Sequence, residues 1–188
     1  MARRIVVGVC GSIAAYKAAD VVSMLRKRDW QVRVVMTRSA TRFITPLTLE
    51  TLSGHRVSVD MFDRGDWEIA HIALSEFAEI LLIVGATANV IGKIASGICD
   101  DLLTCTVAAC DRPVVLAPAM NDRMWSNPIV QGNVEKLRQL GYRFVGPETG
   151  RLACGREGVG RLADPASIVR FVEDVTGETG PGSSAGDR

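Results

Sequence analysis

Residues 4–36 read "RIVVGVCGSIAAYKAADVVSMLRKRDWQVRVVM". The opening "RIVVGV" is dominated by β-branched apolar residues, the signature of a strand buried on both faces. Residues 12–29 then place apolar side chains at helical spacing, and "QVRVVM" (31–36) returns to strand character. Two such strands joined by a helix make a parallel pair with a crossover. The chain keeps to this rhythm. "EILLIVG" (79–85), "PVVLAP" (113–118) and "YRFVGP" (142–147) read as further strands, and 45–54, 87–110 and 127–141 as helical patterns. Residues 164–177 supply a last helix starting at Asp164 or Pro165. The expected fold class is α/β: a three-layer, doubly wound parallel sheet, Rossmann-like or flavodoxin-like, forming a single domain over residues 1–176. Ser12 and Asn127 are expected N-caps, Pro128 a first helical residue and Gly141 a helix stop. The small, polar tail 177–188 is expected to be disordered.

The composition narrows the function classes. The chain has 188 residues, 47% of them hydrophobic and 23% charged, with a formal net charge of +1. There is no long basic run, so no nucleic-acid footprint is expected. No apolar stretch approaches the roughly 18 residues of a membrane span, so no membrane partner is expected. "MARRIVVGVCGS" mimics a signal peptide, but its short β-branched run reads better as a first core strand. The five cysteines are odd in number and none forms a C-x-x-C pair. Neither a disulfide framework nor a metal site is expected, and reduced thiols in a cytoplasm are the simplest reading.

In a doubly wound sheet, ligands bind beyond the carboxyl ends of the strands, and unusual residues gather in just those segments. "GVCGSIAAYK" sets Gly8 and Gly11 in a strand-to-helix turn, which serves an ordinary tight turn and a nucleotide site equally well. "MTRSA" offers Thr37, Arg38 and Ser39, either to a phosphate or to a solvated helix cap. "GATANVIGK" repeats the pattern with Thr87, Asn89 and Lys93. Three polar turns on one sheet edge favour a bound cofactor. "APAMNDRMW" (117–125) follows a buried strand with a proline, a thioether and Asn121, which a plain cap would already explain. His71, just before a helix, is ordinarily a core or capping histidine; as one of only two histidines, it is also the natural proton-transfer group. Cys154 lies in "RLACGREGVGRL", a glycine-dense stretch expected to form neither helix nor strand but a mobile flap, where arginines would activate a thiol.

Together "GSIAAYK", the H-I-x-L segment, "ATAN…GK", "PAMN…M" and "ACG…G-x-GRL" resemble the flavin-dependent cysteine decarboxylases. The likeness runs from about Val6 to Leu162 and is greatest to the branch that acts on phosphopantothenoylcysteine in coenzyme A biosynthesis. The resemblance implies FMN as cofactor, held by Gly11, Ser12, Ile13, Thr37, Arg38, Ser39, Thr87, Ala88, Asn89, Val90 and Ala119. It implies His71, Asn121 and Cys154 as catalytic residues. Asn121, Met124, Ala153 and Gly155 would then contact a small cysteine-containing substrate or a peptide C-terminus. It also implies a homo-oligomer, a trimer or a dodecamer built of trimers. In bifunctional bacterial members a synthetase domain follows the part resembled here. Two positions depart from the family pattern: Gly85 stands where proline is usual, and Val90 where threonine often follows the asparagine.

The chemistry explains why such residues are needed. An N-acylated cysteine has no amine free for a Schiff base, so loss of its carboxylate would leave an unstabilised carbanion. Oxidising its CH₂–SH carbon to a thioaldehyde places C=S beta to the carboxylate, as C=O stands in a β-keto acid. His71 would take the thiol proton, Asn121 would orient the carboxylate without neutralising it, and Cys154 would return a proton to give a saturated thiol. Two rival readings stand beside this one: the same chemistry on a peptide's C-terminal cysteine, and a non-catalytic flavin-binding regulatory subunit. A flavodoxin-type electron carrier fits less well, because the T-x-T-G-x-T phosphate loop is missing after the first strand.

Overall fold

The computed structural model describes residues 3–62 and 69–178. Its centre is a five-stranded parallel sheet of β1 (Arg4–Val9), β2 (Gln31–Met36), β3 (Ile80–Ala86), β4 (Val114–Pro118) and β5 (Arg143–Phe144), in the order β2-β1-β3-β4-β5. Every residue of β3 and β4 is buried, as the continuous apolar runs require. Alternation divides the core between two faces. Ile5, Val7 and Val9 join α1 (Ala18–Arg26), α2 (Pro46–Ser53) and α8 (Pro165–Glu178) on one side. Val6 and Cys10 pack with α3 (Ala70–Phe77), α4 (Ala88–Ser96), α5 (Leu102–Ala109) and α7 (Pro128–Gln139) on the other. Each Val, Leu or Ile so buried contributes about 1.5–3 kcal/mol, which makes this layering the main stabilising term. The three-layer, doubly wound sheet in a single domain is as expected.

Several boundaries differ from the sequence-based expectation. The pattern over 87–110 is two helices, because Gly97 ends α4 in the left-handed region (φ 68°) and Asp101 starts α5 with a capping box to Thr104. Strand β5 stops at Phe144: Gly146 turns the chain at φ 77°, and Pro147 has no N–H to give. Ser12 makes no side-chain cap; a 3₁₀ turn over Ile13–Lys17 precedes α1. Asn127 does cap, accepting from Ile129 N at 2.9 Å, with Pro128 next. The largest correction concerns the glycine-dense stretch, expected to lack regular structure. It forms an antiparallel hairpin of β6 (Glu148–Arg151) and β7 (Glu157–Arg161). The last helix reaches Glu178, two residues past the expected domain end at 176, and the rest of the expected tail lies outside the described residues.

Candidate active site

The sheet reverses its strand order at β1/β3, so the loops after β1, β2 and β3 open a crevice there. A cavity of about 570 Å³ occupies it, lined by Gly11, Thr37, Arg38, Ser39, Thr87, Asn89, Val90 and Lys93 among others. A second cavity, of about 710 Å³, lies beyond β1 and β4, between the 3₁₀ turn and the hairpin; it includes Ser12, Ile13, Ala119, Asn121, Ala153 and Cys154. Gly11 lines both. A Cβ at Gly11 would come within 2.4 Å of Ser39 Cβ, so only glycine lets these two loops approach.

Local sequence explains how each side chain is held. Thr87 caps α4 by accepting from Val90 N at 3.3 Å. Gly85 sits in the left-handed region (φ 68°) at a register shift between β3 and β4, and a Cβ there would meet Ser12 Oγ at 2.8 Å. Proline, restricted to φ near −65°, does not fit this backbone, which accounts for that departure from the family pattern. Ser12 Oγ is buried and has no hydrogen-bond partner among the described residues. Arg38 is largely exposed and ion-paired with Asp60. Lys93 pairs with Asp100 at 2.7 Å and Asp101 at 3.2 Å, chiefly through Asp100, which holds its ammonium pKa above the ordinary lysine range.

Asn121 has two roles. It caps the short helix α6 (Asp122–Trp125), its Oδ1 accepting from Arg123 N at 3.0 Å. That bond fixes the orientation of the amide, and Nδ2 donates toward Cys154 Sγ at 3.6 Å. The two residues are 33 positions apart and meet because the hairpin docks on the "AMND" turn through its main chain: Met120 N donates to Gly160 O at 3.0 Å. The glycines of β7 permit this seat. A Cβ at Gly160 would fall 2.1 Å from Met120 O, and one at Gly158 would fall 2.8 Å from Asp122 Cβ. Cys154 is exposed at the hairpin tip, and its pKa lies below the ordinary thiol range, first through the Arg156 main-chain N–H and then through the Arg156 guanidinium. Cys10, at the end of β1, is opposite in character: burial pushes its pKa up to about 12, so it stays a thiol.

The remaining expected residues divide. His71 lies inside the first turn of α3 rather than before it. Its buried Nδ1 has no partner among the described residues, and it lines neither cavity. Met124 lines the crevice cavity, whereas Asn121 lines the second. Ala88 and Gly155 line neither, Gly155 forming the hairpin turn at φ 84°. Sequence reading missed the pairing of Arg156 with Asp122 at 2.9 Å and the lining of the second cavity by Tyr16, Lys17 and Phe43. The arginines of the "RLACGREGVGRL" stretch were a visible signal; their partner was not. Among the described residues no His, Cys, Asp and Glu cluster suits a metal ion, and no helix is long and apolar enough to cross a membrane.

A flavoprotein family model matches residues 1–177. The chain belongs to the flavoprotein family. A Streptococcus mutans protein named probable phosphopantothenoylcysteine decarboxylase is 40% identical, across 93% of this chain and 99% of that one. A cysteine-to-serine mutant of PPC decarboxylase, solved with pantothenoylaminoethenethiol, superposes with a TM-score of 0.82 at 33% identity, covering 92% of this chain and 97% of the other. The FMN-dependent cysteine decarboxylase SpaF gives a TM-score of 0.76 at 38% identity, covering 90% and 97%. The bifunctional coenzyme A biosynthesis protein CoaBC of Borreliella burgdorferi is 43% identical over 90% of this chain. This chain spans only 44% of that longer protein. The relatives so named are decarboxylases, and the family is one of flavoproteins. This chain's residues fit a flavin: the unpartnered Ser12 Oγ, the close Gly11–Ser39 approach and the hydroxyl-lined crevice are features that packing alone leaves unexplained.

Proposed function

We propose that the protein is an FMN-dependent decarboxylase converting 4′-phosphopantothenoylcysteine to 4′-phosphopantetheine, acting as a cytoplasmic homo-oligomer. The reading is carried by the Asn121 amide, whose oxygen is committed to the helix cap and whose NH₂ faces the Cys154 thiol inside a cavity lined by Lys17, Arg151 and Arg161. FMN is favoured by the Thr37, Arg38 and Ser39 loop and the helix start at Thr87, both of which offer donors to a phosphate. The bound flavin supplies the two-electron acceptor that a thiol-bearing carbon needs.

The chain's own residues do the rest. Asn121 Nδ2 donates to the substrate carboxylate and fixes its orientation, while remaining neutral so that the carboxylate is not over-stabilised before it leaves. His71 takes the substrate thiol proton. Cys154 would later give a proton to one ene-thiol carbon, the other taking a hydride equivalent from the flavin reduced earlier, so the product is saturated. His71 lines neither of the Asn121 and crevice cavities, and exposed apolar residues such as Ile69 (64% exposed) and Ile129 (75%) are spread over the surface. Both observations favour an assembly in which a second copy completes the site.

Mass analysis of products from phosphopantothenoylcysteine and from peptides ending in cysteine tests the proposal. The expected result is turnover of the former to the saturated thiol. An ene-thiol lighter by two hydrogens, made only from the peptides, would establish the peptide reading. A yellow protein that turns over neither would be a regulatory flavin binder.

A further inference from the structure

The hairpin tip is fastened by side chains as well as by its main chain. Arg156 Nη2 donates to Asp122 Oδ1 at 2.9 Å, tying the tip to the first residue of α6. The turn that carries Cys154 is closed by Gly155 N donating to Leu152 O at 2.9 Å and Leu152 N to Arg156 O at 2.8 Å, so fixing Arg156 also fixes Cys154, whose Sγ Asn121 Nδ2 approaches at 3.6 Å. The sulfur is thus held beside the Asn121 amide by a turn whose far end is pinned to Asp122. The other charged groups facing this cavity are Lys17, Arg151 and Arg161, the last paired with Glu148 at 2.8 Å.

We propose that Arg156, anchored on Asp122, is a positioning residue that seats the Cys154 sulfur against Asn121 for proton delivery, a role that rests on the reaction proposed above. In that step one carbon of the ene-thiol C=C would take up the S–H proton of Cys154 and the other a hydride equivalent, supplied by a flavin reduced earlier in the same turnover. The thiolate left behind is balanced by the guanidinium and regains its proton from solvent at the exposed tip. A guanidinium suits this task because its planar fork can hold a carboxylate on one edge and a sulfur on another. It also lowers the thiol's affinity for its proton, which makes Cys154 a readier donor than an ordinary cysteine.

The test is mass-resolved labelling by iodoacetamide across pH, in the flavin-loaded protein. Only the thiolate displaces iodide, so the profile reads the state of the sulfur without calling on catalysis. Cys105 and Cys110 in the same digest serve as internal references. Arg156→Met should slow Cys154 labelling at neutral pH by roughly fivefold and displace its profile to higher pH. Arg156→Lys should restore most of the loss. Asp122→Asn separates an anchor from a mere neighbouring charge. Loss of the anchor displaces the profile upward, as Arg156→Met does, whereas simple removal of an anion displaces it downward. The product of Arg156→Met should also shift from saturated thiol toward ene-thiol. An unchanged profile in Arg156→Met, or a downward one in Asp122→Asn, overturns the proposal. If the profiles move as expected while the parent protein decarboxylates no cysteine substrate, the seating of the sulfur stands and the proposed reaction falls. If the parent protein does decarboxylate while the Arg156→Met profile is unchanged, the reaction stands and the seating role of Arg156 falls.

Discussion

Asn121 shows how much one side chain does here. Its oxygen caps a helix and its nitrogen faces the cavity, so the two roles separate by substitution. Asn121→Asp keeps the cap, since aspartate is an equally good N-cap, but sets a carboxylate opposite the substrate's own. The variant should fold and stay yellow while carbon dioxide release falls by at least about a hundredfold. Retained activity would leave the amide a cap and nothing more. His71→Asn should likewise remain yellow and lose decarboxylation. The thiols give a pH prediction with a definite sign. Cys154 lies below the ordinary range, whereas burial raises Cys105 and Cys110 and places Cys10 at about 12. As pH rises from neutrality, alkylation should reach Cys154 first, Cys105 and Cys110 later, and Cys10 not at all in the folded protein. Because the proton donor must be the acid form, reduction of the ene-thiol should weaken as pH climbs, starting lower than for an ordinary cysteine. These residues were individually legible in the sequence. Their pairing was not, because nothing local to Asn121 or to Cys154 sets the register that brings them together.

At the scale of elements, the sequence was clear wherever burial is two-sided. Strands β1 and β2 begin and end where their β-branched runs do. It was less clear where one feature serves two purposes. The apolar pattern over 87–110 continues through Gly97, and it is divided by that glycine's left-handed turn together with the capping chemistry of Asp101 and Thr104. Glycine in the hairpin reads as a breaker, yet at 158 and 160 its small size is what allows β7 to lie against Met120 and Asp122. Gly160→Ala should therefore unseat the hairpin. Limited proteolysis is expected to cut within 152–156 faster than in the parent, while urea unfolding of the main sheet moves by less than about 1 kcal/mol. Equal cleavage would mean that Gly160 does not govern the seat. Gly85→Pro should be worse tolerated than its place in the family pattern implies, because φ 68° lies outside proline's reach.

At the largest scale, the two cavities and, among the described residues, the unpartnered Ser12 Oγ and His71 Nδ1 point to a fold completed by what it binds. Adding FMN to stripped protein should raise the melting temperature with concentration, by about 2.7 kcal/mol of stabilisation at a hundred times the dissociation constant. No shift at saturating FMN would contradict the cofactor assignment. Light scattering should find an assembly larger than one chain, and dilution that dissociates it should cost activity before it costs helical signal.

The junction between hairpin and sheet joins Met120 to Gly160 by peptide groups rather than by side-chain recognition. A graft replacing residues 152–156 would therefore keep this main-chain footing, while giving up the Arg156–Asp122 pair and the Asn121–Cys154 contact at the tip. The scaffold treats its outermost turn as an interchangeable tool, and changes in what is accepted beneath it can arise there without redesign of the layers below.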